Sequence, residues 1–165
     1  MRADLDKIEI RPIGPADAVW VRELLTERWL SEKVVSRGRM HLADTLPGFI
    51  AWQGENRIGL VTYEIEEEEC EIVTLDSLAE GLGIGTELLK SVLQAAVKAK
   101  CNRAWLVTTN DNINALRFYQ TRGFLLAALH RNAIEESRKL KPEIPARGFD
   151  NIALRDEIEF EMVLR

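Results

Sequence analysis

Six residues, Glu80-Gly-Leu-Gly-Ile-Gly85, set the strongest limit on what this chain can fold into. They follow an apolar run at 72–75. They precede a segment in which Ile84, Leu88, Leu89, Val92, Leu93, Ala96 and Val97 fall on one stripe at helical spacing. Glycines at a strand-to-helix passage free main-chain N–H groups, and the helix start adds its dipole, so the loop suits an anion such as phosphate. A second apolar segment at 104–107 and a second helical pattern holding Ala115, Leu116 and Tyr119 come next. The strands at 71–75 and 103–109 are joined by a helix and are therefore expected to be parallel.

The remaining segments are expected to pair as antiparallel neighbours. An edge strand at 8–12 ends at Pro12, and Pro15 and Asp17 open a helix carrying Val19, Trp20, Leu24, Leu25 and Trp29. Residues 30–46 show no clear period and read as an exposed loop or short helix. Segments 49–53, 57–65 and 71–75 form a meander, with the acidic run Glu66 to Glu69 at a hairpin tip. An apolar strand at 124–129, a weak helix at 132–140 and a loop at 141–151 with Pro142, Pro145 and Gly148 follow. In the tail, Ile158, Phe160, Met162 and Leu164 face one way and Glu157, Glu159 and Glu161 the other, which reads as a strand with one dry and one wet face. The expected architecture is one α/β (α+β) domain over 1–165. Its central sheet is mixed and mostly antiparallel, with one parallel strand pair and helices on both faces.

Composition narrows the function classes. A net charge of −5 argues against general nucleic-acid binding, which needs a basic surface. The apolar runs are too short to cross a bilayer, and the first residues hold no apolar signal core, so no membrane association is expected and the cytoplasm is the default compartment. Cys70 and Cys101 have no metal-ligand spacing, and no metal is expected. Among the readings of the glycine loop, a tight turn needs nothing further. A dinucleotide fingerprint wants glycine where Thr86 stands, although Asp111 ends the next strand as a ribose-binding acid does. A P-loop wants a Lys-Ser/Thr pair where the chain has Thr86 and Glu87.

Two motifs together carry a resemblance. The segment 80–85 is similar to the R/Q-x-x-G-x-G/A pyrophosphate loop of the GNAT superfamily of acyl-CoA-dependent N-acyltransferases. Asn112, Ala115, Phe118, Tyr119, Gly123 and Phe124 match a second signature of that family, N-x-x-A-x-x-F/L-Y-x-x-x-G-F. A helix and a strand separate the two, as the family requires. The chain departs from the pattern at Glu80, where the family carries Arg or Gln; a carboxylate beside a diphosphate is repulsive and removes a charge-assisted contact.

The resemblance implies direct transfer of acetyl from acetyl-CoA to a primary amine of a small molecule or peptide, through a ternary complex. It places the pyrophosphate on the main-chain donors of Leu82, Gly83, Ile84, Gly85 and Thr86. It places the pantetheine beside Val73, Leu75, Asn112 and Ala115, with the Leu75 N–H as candidate donor to the thioester oxygen. Asn112 reads equally well as an N-cap bonding the Ala115 N–H. Tyr119 is the candidate general acid, since a phenol of pKa about 10 stays protonated at neutral pH; its alternative is a core aromatic. Glu71, at the start of the strand feeding the loop, is the candidate base, with Asp76 second, and both also read as solvated acids. Acceptor selection falls to residues 29–41 and the loop before the last strand, with Arg37 and His41 either exposed or recognising an anion. A non-catalytic CoA-binding or interaction module on the same scaffold is the alternative function. The acceptor's identity and the oligomeric state stay open, a homodimer among the options.

Overall fold

A computed structural model describes residues 7–165; residues 1–6, on which part of the reading of the N-terminus rests, lie outside the described residues. The elements run β1 (Ile8–Pro12), α1 (Ala18–Trp29), β2 (Lys33–Ser36), β3 (Arg39–Leu42), β4 (Gly48–Gln53), β5 (Asn56–Glu66) and β6 (Glu69–Ser77). They continue with α2 (Ile84–Lys98), β7 (Arg103–Thr109), α3 (Ile113–Gln120), β8 (Leu125–His130), α4 (Ala133–Leu140) and β9 (Glu157–Val163). Seven strands form one sheet in the order β1-β4-β5-β6-β7-β9-β8, and β2 and β3 make a separate hairpin. As expected, β6 and β7 are the parallel pair and the other neighbours are antiparallel.

Each face of the sheet has its own core. On one, Ile84, Leu88, Leu89, Val92 and Ala96 of α2, with Tyr119 of α3, pack on Ala51, Val61, Ile72, Leu106 and Phe160. On the other, Val21, Leu24 and Leu25 of α1 pack with Val34 on Ile50, Leu60 and Val73. Val19 and Val97, counted on their helical stripes, stay exposed at the margins. Among the described residues no helix is long and apolar enough to cross a membrane.

The feature that positions the site is a divergence. β6 and β7 pair over only three registers, Glu69↔Arg103, Cys70↔Ala104 and Glu71↔Trp105. Beyond Glu71 they part, while β6 continues on β5 to Ser77 and β7 continues on β9 to Thr109. The β6 register slips where Thr62 faces Thr74 but Tyr63 faces Ile72, so Val73 is an extra residue and bends the strand at the fork. Main-chain groups on the inner edges of a fork are left for a ligand or water to satisfy.

Two expectations are corrected. Residues 30–46 are not an exposed loop or short helix; they contain the β2–β3 hairpin, with Val34, Ser36, His41 and Ala43 buried. Strands of four residues with Ser and His turned inward are too short and too polar to show a period of two. Nor is the glutamate face of β9 wet: Glu157 is 2% and Glu159 7% exposed. Arg37, at the hairpin turn, ion-pairs with Glu159 at 2.6 Å, so this segment covers part of that face. Lys141, at the end of α4, clamps the assembly by donating to the carbonyls of Trp29 and Lys33, and burial lowers its pKa.

Candidate functional site

The glycine loop opens α2 as the sequence implies. Gly81 and Gly83 take positive φ, 75° and 70°, a left-handed conformation that lets the chain turn from the strand into the helix. The first intrahelical bond runs from the Glu87 N–H to the Gly83 carbonyl. Among the described residues the amides of Leu82, Gly83, Ile84, Gly85 and Thr86 have no protein acceptor, as a helix start requires when uncapped. The Ile84 side chain is buried in the core, so only its main chain serves the loop. Glu80 is exposed. Arg122 donates from Nε to Thr86 Oγ1 at 2.8 Å and lies 3.8 Å over the Phe118 ring, placing a cation beside the first turn. The motif leaves position 122 free, and nothing in the sequence singles it out.

From the loop a groove runs to the fork. Glu80, Gly85, Ala115 and Tyr119 line its outer part together with Leu75. Val73, Leu75, Asp76, Val107, Thr108, Asn112, Ala115 and Tyr119 line an inner cleft of about 330 Å³. Val73, Leu75, Gly85, Asn112, Ala115 and Tyr119 thus meet around one groove, with Leu82, Gly83, Ile84 and Thr86 at its loop end. Asn112 Oδ1 accepts the Ala115 N–H at 3.1 Å, so the N-cap expectation holds, and the residue still borders the cleft. The Tyr119 ring is wedged edge-on against Phe118 and Phe124, at 5.0 and 5.6 Å. Burial raises its pKa, and nearby Asp76 raises it further. Among the described residues its hydroxyl has no hydrogen-bond partner. Asp76 accepts the Trp29 indole N–H at 2.9 Å. Burial raises its pKa against the opposing effects of Trp29 and Arg28.

Glu71 is not a solvated acid. It is 5% exposed and sits under the hairpin, where Ser36 Oγ donates to its Oε1 and His41 Nε2 lies 3.2 Å from its Oε2. His41 is itself buried, with Nδ1 2.8 Å from Glu64 Oε2. Burial lowers the His41 pKa, but the two carboxylates outweigh it and the net shift is upward. The ring thus lies between two carboxylates at ion-pair distance, with Ser36 Oγ 3.0 Å from its Nε2. His41 is therefore neither exposed nor free to meet an anion, and Arg37 is committed to Glu159 at 2.6 Å. The three ligand-type side chains His41, Glu64 and Glu71 lie close enough to hold an ion, yet both imidazole nitrogens already face carboxylates.

A second cavity of about 120 Å³ lies on the hairpin side of the fork, bounded by Val34, Ser36, Glu71, Val107, Ile134 and Glu157. It shares Trp29, Ile72, Val73, Val107, Thr108, Thr109 and Asn112 with the inner cleft, so the two approach each other through the gap between β6 and β7. Phe149 borders the cleft on a loop fixed by Asp111 Oδ2, which accepts the Phe149 N–H at 2.9 Å. Beyond Glu71 lies an acidic pocket lined by Glu64, Glu66, Glu67 and Glu69.

Known proteins share this fold. A sequence model of the acetyltransferase (GNAT) family matches residues 17–124. The uncharacterised Bacillus subtilis protein YdhI is 43% identical over 143 residues, covering 86% of this chain and 89% of the relative. An IAA acetyltransferase from Bacillus cereus superposes with a TM-score of 0.70 at 21% identity, over 96% of this chain and 100% of that one. A GNAT family acetyltransferase from Elizabethkingia anophelis, solved with acetyl-CoA bound, superposes with a TM-score of 0.69 at 20% identity, over 96% and 99%.

Proposed function

The chain belongs to the acetyltransferase (GNAT) family, and on that premise we propose that it transfers the acetyl group of acetyl-CoA directly to a primary amine. The observation that carries the reading is the fork: a groove from unpaired loop amides meets a carboxylate-lined cavity through one gap in the sheet. The Elizabethkingia anophelis neighbour, with acetyl-CoA bound on the same fold, supports the choice of donor.

In this reading the amides of residues 82–86 hold the pyrophosphate without side-chain help. Arg122 supplies a positive charge at the first turn and offsets the exposed Glu80. The unpaired inner edge of β6 at Val73 and Leu75 extends along the pantetheine, with the Leu75 N–H as donor to the carbonyl oxygen where charge develops. Acetyl-CoA brings an activated thioester, and the protein supplies position and proton transfer. Tyr119 delivers its proton to the departing sulfur; its hydroxyl is unoccupied and its raised pKa keeps it protonated at neutral pH.

Glu71 takes the proton lost by the amine. His41 and Glu64 lie behind it toward the acidic pocket at the surface and hold the carboxylate in place. The amine acceptor, a small molecule or a peptide, enters from the hairpin side. A steady-state assay of CoA release over a panel of primary amines tests the whole. Amine-dependent release supports transfer. Acetyl-CoA binding without release across the panel favours a non-catalytic CoA-binding module, the reading that Glu80 suggests.

A further inference from the structure

The glutamate row of β9 holds one oxygen that nothing in the fold uses. Glu159 receives Arg37 Nη1 at 2.6 Å and His130 Nε2 at 3.1 Å, and Arg103 besides; Glu161 receives Arg103 Nε at 2.6 Å. Glu157 receives only the main-chain N–H of Arg37, at 3.2 Å on Oε2. Its Oε1 is buried without a hydrogen-bond partner among the described residues. Glu64 Oε2, the other such oxygen, has His41 Nδ1 at 2.8 Å. A buried carboxylate oxygen left unmatched is among the costlier defects a native fold can carry, and such groups gather where a ligand is expected.

Glu157 lines the hairpin-side cavity, and Glu71 lines it too. The rest of the wall is largely apolar, including Val34, Val35, Val107 and Ile134. Charge, shape and the unmatched oxygen therefore agree on one kind of guest. We infer that this cavity seats the protonated amine of the acceptor, with Glu157 Oε1 as its anchor, and that the enzyme takes compact unbranched alkylammonium groups in preference to neutral or anionic acceptors. This rests on the transferase reading for the word acceptor, but not for the binding itself. At about 30 Å³ per water-sized atom, the cavity of about 120 Å³ holds roughly four heavy atoms. That is the size of a three-carbon chain ending in nitrogen. Burial raises the pKa of Glu157, with the Arg37 N–H and nearby His130 acting against it. An arriving ammonium gives Oε1 the hydrogen-bond donor the fold withholds. Glu157 is thus a binding and specificity residue, and Glu71 keeps the proton-accepting role.

The test compares propylammonium chloride with propan-1-ol, two probes of the same size that differ in charge, at matched ionic strength. Affinity is measured by titration NMR on wild type and on Glu157→Gln, with and without acetyl-CoA. Wild type is expected to favour propylammonium by roughly ten- to hundredfold, the range of a charge-assisted bond. Glu157→Gln should lose that preference, keep its acetyl-CoA affinity, and melt at the same temperature or higher because a buried charge is gone. Equal affinity of wild type for the two probes overturns the inference, as does a preference that survives in Glu157→Gln. If the variant does not fold, the wild-type comparison alone decides. Failure of acetyl-CoA to bind sinks the transferase reading but leaves the propylammonium comparison intact, so the two failures are separable.

Discussion

Replacing Tyr119 by Phe separates chemistry from packing at the fork. The ring is 7% exposed and touches Phe118, Phe124 and Phe160, with centroids at 5.0, 5.6 and 5.9 Å. Phenylalanine keeps all three contacts and removes only a hydroxyl that has no protein partner among the described residues. The stability change should therefore stay within about 1 kcal/mol, because no intramolecular hydrogen bond is lost. Tyr119→Ala removes the ring as well and should cost about 3–5 kcal/mol, the usual range for deleting a buried aromatic. Turnover should move the other way round. Loss of a positioned acid lowers kcat by about 10²–10⁴-fold, while acetyl-CoA affinity in Tyr119→Phe stays near wild type. Thermal melts, calorimetric titration with acetyl-CoA and a CoA-release assay on the same preparations give the three numbers. An unchanged kcat removes Tyr119 from the acid role. A loss of several kcal/mol on deleting the hydroxyl alone would mean that it is bonded within the protein rather than held open to the cleft.

Three further outcomes follow from the same geometry. Glu80→Arg restores the charge that related loops carry and should tighten CoA binding severalfold, the gain shrinking as salt is raised because the side chain is exposed; calorimetry at two ionic strengths checks it. In Gly148→Ala the new Cβ would lie 2.0 Å from Asp111 Oδ2, so the loop carrying Phe149 must shift. A loss of about 1–3 kcal/mol and faster amide exchange at Phe149 are expected, and an unchanged melt with unchanged exchange contradicts the contact. His41 has its folded pKa above its ordinary 6.5, since Glu71 and Glu64 outweigh burial. Its contribution to stability is full below pH 6.5 and lost as pH rises through the folded value. Melting temperature should fall over that window in wild type and less so in His41→Gln; parallel profiles would remove the ion pairs from the account.

Much of this was legible from residue order. The helical stripe of α2, the glycine loop, the apolar run of β6 and the alternation of β9 are local patterns, and the parallel pair follows from the helix between its strands. The loop and α3 motifs lie in one unbroken stretch, so their joint presence could be read without coordinates. What escaped depends on distant partners. His41 and Ser36 look like solvent residues until Glu71, some thirty positions on, is placed beneath them. Period-two alternation identifies which face Glu157 and Glu159 share but not that Arg37 and the hairpin cover it. The divergence of β6 from β7 is a matter of register between strands, and the extra residue at Val73 has no signature in composition. Arg122 fills a position the motif leaves free, and its place beside Thr86 comes from the packing of α3 on α2.

Backbone amide titration by NMR tests the central claim most directly, because it reads the groups said to bind. On adding CoA, the amide resonances of Leu82, Gly83, Gly85 and Thr86 should shift together with those of Val73 and Leu75, and those of β1 and β8 at the far edges of the sheet should stay in place. Saturation with millimolar CoA that leaves the loop amides unmoved, or moves only residues outside the fork, contradicts the account.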